Sequence, residues 1–184
     1  DTDRSRGLGD VYKRQELMGL VGIDQADERR NLYPYHFSGG MRQRSVLAIA
    51  LAGNPSILIA DEPTTALDVT IQAQIVNLFR HLQKEHGFSF LFIAHDLDMV
   101  EFLCDRVGVM YHGKLVETGP ARAVFENPLH PYTKALIAAI PIPDPRRERA
   151  RAVPDFSNTE FPRTGTLREV EKDHFVLMEG GDAG

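Results

Sequence analysis

The chain has 184 residues, 42% hydrophobic and 26% charged, which suits one folded domain with or without an appendage and argues against a disordered or fibrous chain. Lys and Arg number 21 against 26 acidic residues, so the net charge is −5 and no global basic surface recommends nucleic acid as a partner. The single Cys104 forms no internal disulfide and favours a reducing, cytoplasmic compartment, and the longest apolar run, Val46–Ala52, falls far short of the ~20 residues of a transmembrane helix.

Residues 1–15 (DTDRSRGLGDVYKRQ) have no periodicity, no apolar core like that of a signal peptide, and no initiating Met. They read as a non-native or disordered leader. Leu17, Leu20 and Val21 then space a short helix over Glu16–Ile23. After a loop at Asn31–Phe37, Ser38 is a natural N-cap for a strong helix running to about Ala52, stopped by Gly53-Asn54-Pro55. Ile57–Ala60 is wholly apolar, the pattern of a strand buried on both faces, and it ends in Asp61-Glu62-Pro63. A long amphipathic helix follows, with Ile71, Ile75, Leu78, Phe79 and Leu82 on one stripe and Gly87 as its stop.

Phe88–Ala94 predicts a second buried strand, ending at His95-Asp96. A short helix near Leu97–Cys104 leads to a third strand, Val107–Tyr111, a His112-Gly113 turn and a return strand, Lys114–Glu117. Leu129–Ile140 is the last predicted helix. Pro141–Pro154 reads as an extended Pro/Arg-rich linker, and the tail beyond it as polar and poorly patterned. The alternation predicts an α/β fold with a parallel sheet, over a partial domain spanning 16–140, with 141–184 as linker and tail. Ligands of such sheets sit at the C-terminal ends of the strands.

Two adjacent carboxylates at a strand end, Asp61 and Glu62, suit magnesium-nucleotide chemistry, the first orienting Mg²⁺ and the second polarising a water. His95 ends the neighbouring strand and should share that edge. Ser38-Gly39-Gly40-Met41 offers bare backbone N–H groups at a helix N-terminus, where an anion binds. Taken singly, each has an ordinary reading: a solvated turn, a surface histidine, a capped helix. Taken together they are specific.

Phe37-Ser38-Gly39-Gly40-Met41-Arg42-Gln43-Arg44, Ile57–Pro63, Thr65-Ala66-Leu67-Asp68 and Ile93-Ala94-His95-Asp96 occur in one order at compact spacing. This set resembles the ATP-binding subunit of ABC transporters, as signature motif, Walker B, D-loop and switch histidine. The segments Ala66–Gln74 and Glu126–Thr133 look like those of oligopeptide/dipeptide importers, a group that includes nickel importers. The resemblance implies a P-loop NTPase-like fold using ATP and Mg²⁺. It implies that Ser38, Gly39, Gly40 and Met41 contact the γ-phosphate of ATP held by a second nucleotide-binding subunit, in a homo- or heterodimer. Asp61 would align Mg²⁺ through water, Glu62 would be the general base, His95 would hold the γ-phosphate, and Ala66 to Asp68 would couple the two sites. Further implied partners are transmembrane permease subunits and, indirectly, a substrate-binding protein, at the cytoplasmic face of the membrane.

Two departures from the family pattern bear on this. No GxxxxGK[ST] is present, the only Gly-Lys being Gly113-Lys114, so the sequence reads as a C-terminal fragment inactive as an ATPase by itself. Asp155–Thr166 also lacks the cysteine cluster of many relatives, so no iron–sulfur site is implied. Two rivals remain: a non-catalytic interaction fragment, and a DNA-repair or chromosome ATPase of the ABC type. The second is opposed by the absence of a basic stripe and of coiled-coil heptads.

Overall fold

A computed structural model describes residues 12–29, 31–65, 67–140 and 159–179. Most of the expected leader and all of the Pro141–Pro154 linker lie outside the described residues. The chain divides into two compact units, Asp1–His95 and Asp96–Gly184.

In the first unit, helix α1 is already formed at residue 12 and runs to 20, so it starts ahead of the expected Glu16. Met18, Val21 and Ile23 are buried in and after it. Helix α2 (Ala26–Arg29) and a 3-10 turn at Pro34–His36 lead to α3 (Gly39–Leu51). Ser38 caps α3 as expected: its backbone is extended and its Oγ accepts from the Met41 N–H at 3.3 Å. Strand β1 (Ile57–Asp61) and strand β2 (Ser89–Ile93) pair in parallel, with α4 (Val69–His86) as the crossover between them. Asp68 caps the start of α4 through the Ile71 N–H at 3.0 Å, and Gly87 closes it in the left-handed region at φ 70°.

Helix α4 buries Ile75, Val76, Phe79 and Leu82. Phe79 meets Phe90 and Phe92 edge-on at 4.9 and 6.2 Å, and each fully buried side chain of this kind is worth roughly 1.5–3 kcal/mol. Only one face of the strand pair is covered in this way. Leu58 and Ala60 are buried, whereas Ile57 and Ile59 are 64% and 65% exposed and Leu91 and Ile93 are 52% and 46% exposed. Among the described residues, the expected strand buried on both faces is therefore buried on one, the face that carries Leu58 and Ala60.

The second unit opens with α5 (Leu97–Leu103), capped by Asp96 through the Met99 N–H at 3.2 Å. The third strand does not extend the parallel sheet. Strand β3 (Arg106–Tyr111) folds back on β4 (Lys114–Pro120) through His112 and Gly113, both at positive φ (45° and 75°), the backbone that two-residue hairpin turns require. The expected unpatterned tail instead supplies β5 (Thr166–Glu171) and β6 (His174–Met178), giving an antiparallel sheet of order β3-β4-β6-β5. Every residue of β5 is exposed, Leu167 and Val170 included, so this charged edge strand shows no alternation of buried and exposed positions. Helices α6 (Ala121–Glu126) and α7 (Pro131–Ala138) complete the unit, and its core gathers Val109, Val116 and Val124 with Tyr111, Tyr132 and Leu177. Burial, and then the neighbouring Asp105, push the Cys104 thiol up, which favours the protonated form.

His130, 1% exposed, caps α7 through its imidazole: Nδ1 accepts from the Tyr132 N–H at 3.1 Å. That leaves Nε2 to donate to the Pro162 carbonyl at 3.0 Å. The Nδ1 contact needs the neutral ring, whereas Nε2–H can donate in either state, and burial holds the pKa below the ordinary imidazole value, against smaller opposing effects of the Pro162 carbonyl and Glu117. Above that ordinary value both folded and unfolded chains carry a neutral His130, and its stabilisation is complete. As the pH falls through that value the unfolded chain takes up the proton first, so stability declines until the lowered native value is passed. His130→Asn retains a capping side chain and removes the titration. The loss of melting temperature between pH 7.5 and 5.5 should be smaller in this variant than in the parent; equal losses would show that His130 does not contribute.

Candidate functional site

The residues singled out in the sequence all fall in the first unit. Glu62 directly follows β1, and its N–H donates to the Ile93 carbonyl at 2.8 Å, carrying the strand pairing one step beyond Asp61↔Ile93. The chain then turns sharply, with Glu62 at φ 45°, a left-handed conformation that costs an L-residue roughly 1–2 kcal/mol. Its carboxylate is held from two sides. Oε2 accepts from the Thr65 hydroxyl at 2.9 Å, and Oε1 lies 3.4 Å from His95 Nδ1. The parallel strands thus bring Glu62 and His95 together on one edge, as the sequence predicts, while both remain accessible at 50% and 74% exposure. Thr65 as a partner of Glu62 was not foreseen, although a hydroxyl three residues beyond a carboxylate in a turn is a local signal.

Asp61 occupies an exposed position of the strand's alternation, on the same side as Ile57 and Ile59 and away from α4. Glu62, by contrast, stands past the strand's end, in the turn. The carboxylate of Asp68 is engaged in capping α4, and Ala66 lies outside the described residues.

At the start of α3 the glycines answer a packing demand. Gly40 is buried, and a Cβ there would stand 2.8 Å from Ile71 Cγ2; one on Gly39 would stand 3.2 Å from Leu67 Cδ2. The N-terminus of α3 is thereby seated on the segment that begins α4, immediately after the Glu62 turn. Close approach of a phosphate, the expected reason for both glycines, is open to the exposed Gly39, whereas the missing side chain of Gly40 is first a fit to Ile71. Met41 is half-buried, and its Sδ receives Arg29 Nη1 at 3.5 Å. Arg44 fixes the underside of α3, donating to the Val21 carbonyl at 2.6 Å and to Gln74 Oε1 at 3.4 Å.

Two families of known proteins match this chain. Residues 5–65 match the ABC transporter family, and residues 116–164 match the family described as the oligopeptide/dipeptide transporter C-terminal region. The oligopeptide transport ATP-binding protein OppF of Bacillus subtilis is 54% identical over 91% of this chain and 55% of its own length. The dipeptide transport ATP-binding protein DppF of Lactococcus lactis is 46% identical over 91% of this chain and 54% of its own length. The chain thus spans about half the length of the curated relatives it matches.

Among solved structures, an ATP-binding cassette of an ABC transporter in its ADP conformation shares the fold, with TM-score 0.59 and 20% identity, covering 71% of this chain and 51% of its own. CbiO1 from Clostridium perfringens, part of an ABC transporter complex, gives TM-score 0.56 at 30% identity, covering 69% of this chain and 47% of its own. The chain belongs to the ATP-binding proteins of the ABC transporter family, in the oligopeptide/dipeptide group.

Two substitutions test what the backbone asks for. Gly40→Ala should destabilise by about 1–3 kcal/mol, the usual range for overpacking. Ile71→Ala in the same chain should recover part of that loss, and equal costs of Gly40→Ala in both backgrounds would refute the packing role. Glu62→Gly relieves the left-handed strain while adding unfolded-state entropy and removing two exposed contacts, so its melting temperature should stay close to the parent's. A drop beyond about 5 °C, more than ~1 kcal/mol for a chain of this size, would show that the carboxylate supports the fold instead.

Proposed function

We propose that this chain is part of an ATP-hydrolysing subunit that powers import of short peptides across a membrane. The observation that carries the reading is the Glu62 carboxylate, held by Thr65 and facing His95 where two parallel strands end. The donor set fits the cofactors: hard carboxylate oxygens at an exposed strand end suit a nucleotide-borne Mg²⁺, and an N-terminal helix end suits a phosphate. When bound, ATP supplies the transferable γ-phosphoryl group and Mg²⁺ the neutralisation of its charge.

Within this reading Asp61 is the Mg²⁺-side carboxylate, acting through water. Glu62 takes the proton of the attacking water, and the turn that strains its backbone aims the carboxylate outward. His95 steadies Glu62 through Nδ1 and keeps Nε2 for the γ-phosphate. Ser38, Gly39, Gly40 and Met41 present the α3 N-terminus to ATP held by a second nucleotide-binding subunit, while Asp68 fixes the coupling segment by capping α4. Permease subunits and, through them, a substrate-binding protein complete the assembly at the cytoplasmic face. No helix among the described residues is long and apolar enough to cross a membrane, so attachment is assigned to those partners. The phosphate-cradling GxxxxGK[ST] is not in this sequence, so tight ATP binding is assigned to another segment and the chain alone is proposed to be inactive.

The test uses a chimera in which this chain replaces the matching segment of the Bacillus subtilis relative. Glu62→Gln in that protein should retain Mg-ATP binding and lower phosphate release by ~10²–10⁴-fold, the usual worth of a positioned base. A rate within a few-fold of the parent chimera would overturn the assignment.

A further inference from the structure

Outside the candidate site, the second unit buries a carboxylate that the proposed chemistry does not use. The Glu117 side chain is fully buried, and three donors converge on it. Its Oε1 accepts from the Leu129 N–H at 2.9 Å and from His174 Nε2 at 2.8 Å, and its Oε2 accepts from the His130 N–H at 2.8 Å. One side chain thus joins the C-terminal hairpin, which carries His174, to the turn that starts α7. We propose that Glu117 makes docking of the β5–β6 hairpin and closure of the Leu129–Tyr132 turn a single cooperative event.

Among the described residues, the backbone part of the attachment is short, with Val176 and Leu177 of β6 adding apolar burial beside it. Strand β6 registers with β4 at two positions, Glu117↔Val176 and Thr118↔Phe175, whereas β5 and β6 register with each other at five. Two exposed hydrogen bonds add to it, from Arg106 Nη2 to the Asp173 carbonyl at 3.1 Å and from Asn127 Nδ2 to Glu171 Oε1 at 3.0 Å. The His174 ring, by contrast, has a slot made for it. A Cβ on Gly119 would stand 2.9 Å from His174 Cδ2 and 3.3 Å from its Cα, so glycine at this position of β4 is what lets the imidazole reach Glu117.

The coupling follows from the cost of an unmet buried charge. With the hairpin docked, Glu117 is sealed from water and needs every donor it has, so the Leu129 and His130 N–H groups are held to it. With the hairpin away, water reaches the carboxylate, and those two N–H groups lose their obligatory partner. In the other direction, opening the turn removes two of the three donors that make burial under His174 tolerable. Reciprocity between the two segments is a thermodynamic requirement of a shared partner.

Residue-resolved amide hydrogen exchange on the full 184-residue chain tests this. His174→Ala should speed exchange roughly ten- to hundredfold both in β6 and at Leu129 and His130, the scale set by losing a hydrogen bond to a charged group. His174→Gln, whose side-chain amide can donate to the carboxylate, should restore protection in both segments together. Gly119→Ala displaces the ring without removing it and should loosen both, which keeps the comparison available if His174→Ala fails to fold. Parent-like exchange at Leu129 and His130 while β6 is loosened, in any of these variants, overturns the proposal.

Discussion

Two apolar strands running in the same direction are the constraint on which the candidate site rests. Because β1 and β2 are in register from Ile57↔Ser89 to Asp61↔Ile93, both chains leave the sheet on one edge. The Glu62 N–H closes on the Ile93 carbonyl at 2.8 Å, and the next side chain beyond that register on β2 belongs to the segment ending in His95. An antiparallel pair would send His95 to the opposite edge, about 3.3 Å per residue away over the length of the strand. The crossover helix α4 makes the parallel arrangement possible and covers the pair with Phe79. A packing element therefore decides where the chemistry falls.

The backbone at Glu62 strengthens that link. Gly87 and Gly113 adopt the left-handed region at φ 70° and 75° with no Cβ to strain, whereas Glu62 takes it at 45° with a full side chain. A strained residue that retains its carboxylate is evidence that the carboxylate is needed there, since the inference runs from an observed outlier to a function. The start of α3 shows the reverse case. Gly40 lacks a side chain because Ile71 occupies the place where one would go, so a glycine in a phosphate-binding pattern is set by helix packing.

Signals confined to a few neighbouring residues were legible in the sequence. Ser38 and Gly87 cap their helices as residue chemistry dictates, and the apolar runs ending at Asp61-Glu62 and His95 become the paired strands. What was not legible depends on partners distant along the chain. The apolar pattern of Val107–Tyr111 identifies a strand, but its sheet is chosen by the His112-Gly113 hairpin and by strand β6. Strand β5 is exposed throughout and so lacks the alternation that marks a half-buried strand. The pairing of Glu117 with His174 spans 57 positions, and no local spacing announces it. The open face of Ile57 and Ile59 was hidden for a related reason: an apolar run shows what a strand can bury, and the packed helices determine what it does bury.

The Glu126–Thr133 segment illustrates how a marker of kinship differs from a contact with cargo. Within it, the His130 N–H goes to Glu117, one ring nitrogen caps α7 and the other meets the Pro162 carbonyl. Pro131 stands at the first helical position, where its missing N–H costs nothing, and Tyr132 packs between Tyr111 and Phe161 at 4.5 and 5.5 Å. These groups are engaged inside the unit, with His130 buried and Tyr132 half-buried. The segment lies within the stretch that matches the oligopeptide/dipeptide transporter C-terminal region. Its own chemistry is that of an internal lock, and the peptide-import reading accordingly rests on the relatives, while the ATPase reading also has Glu62 and His95 behind it.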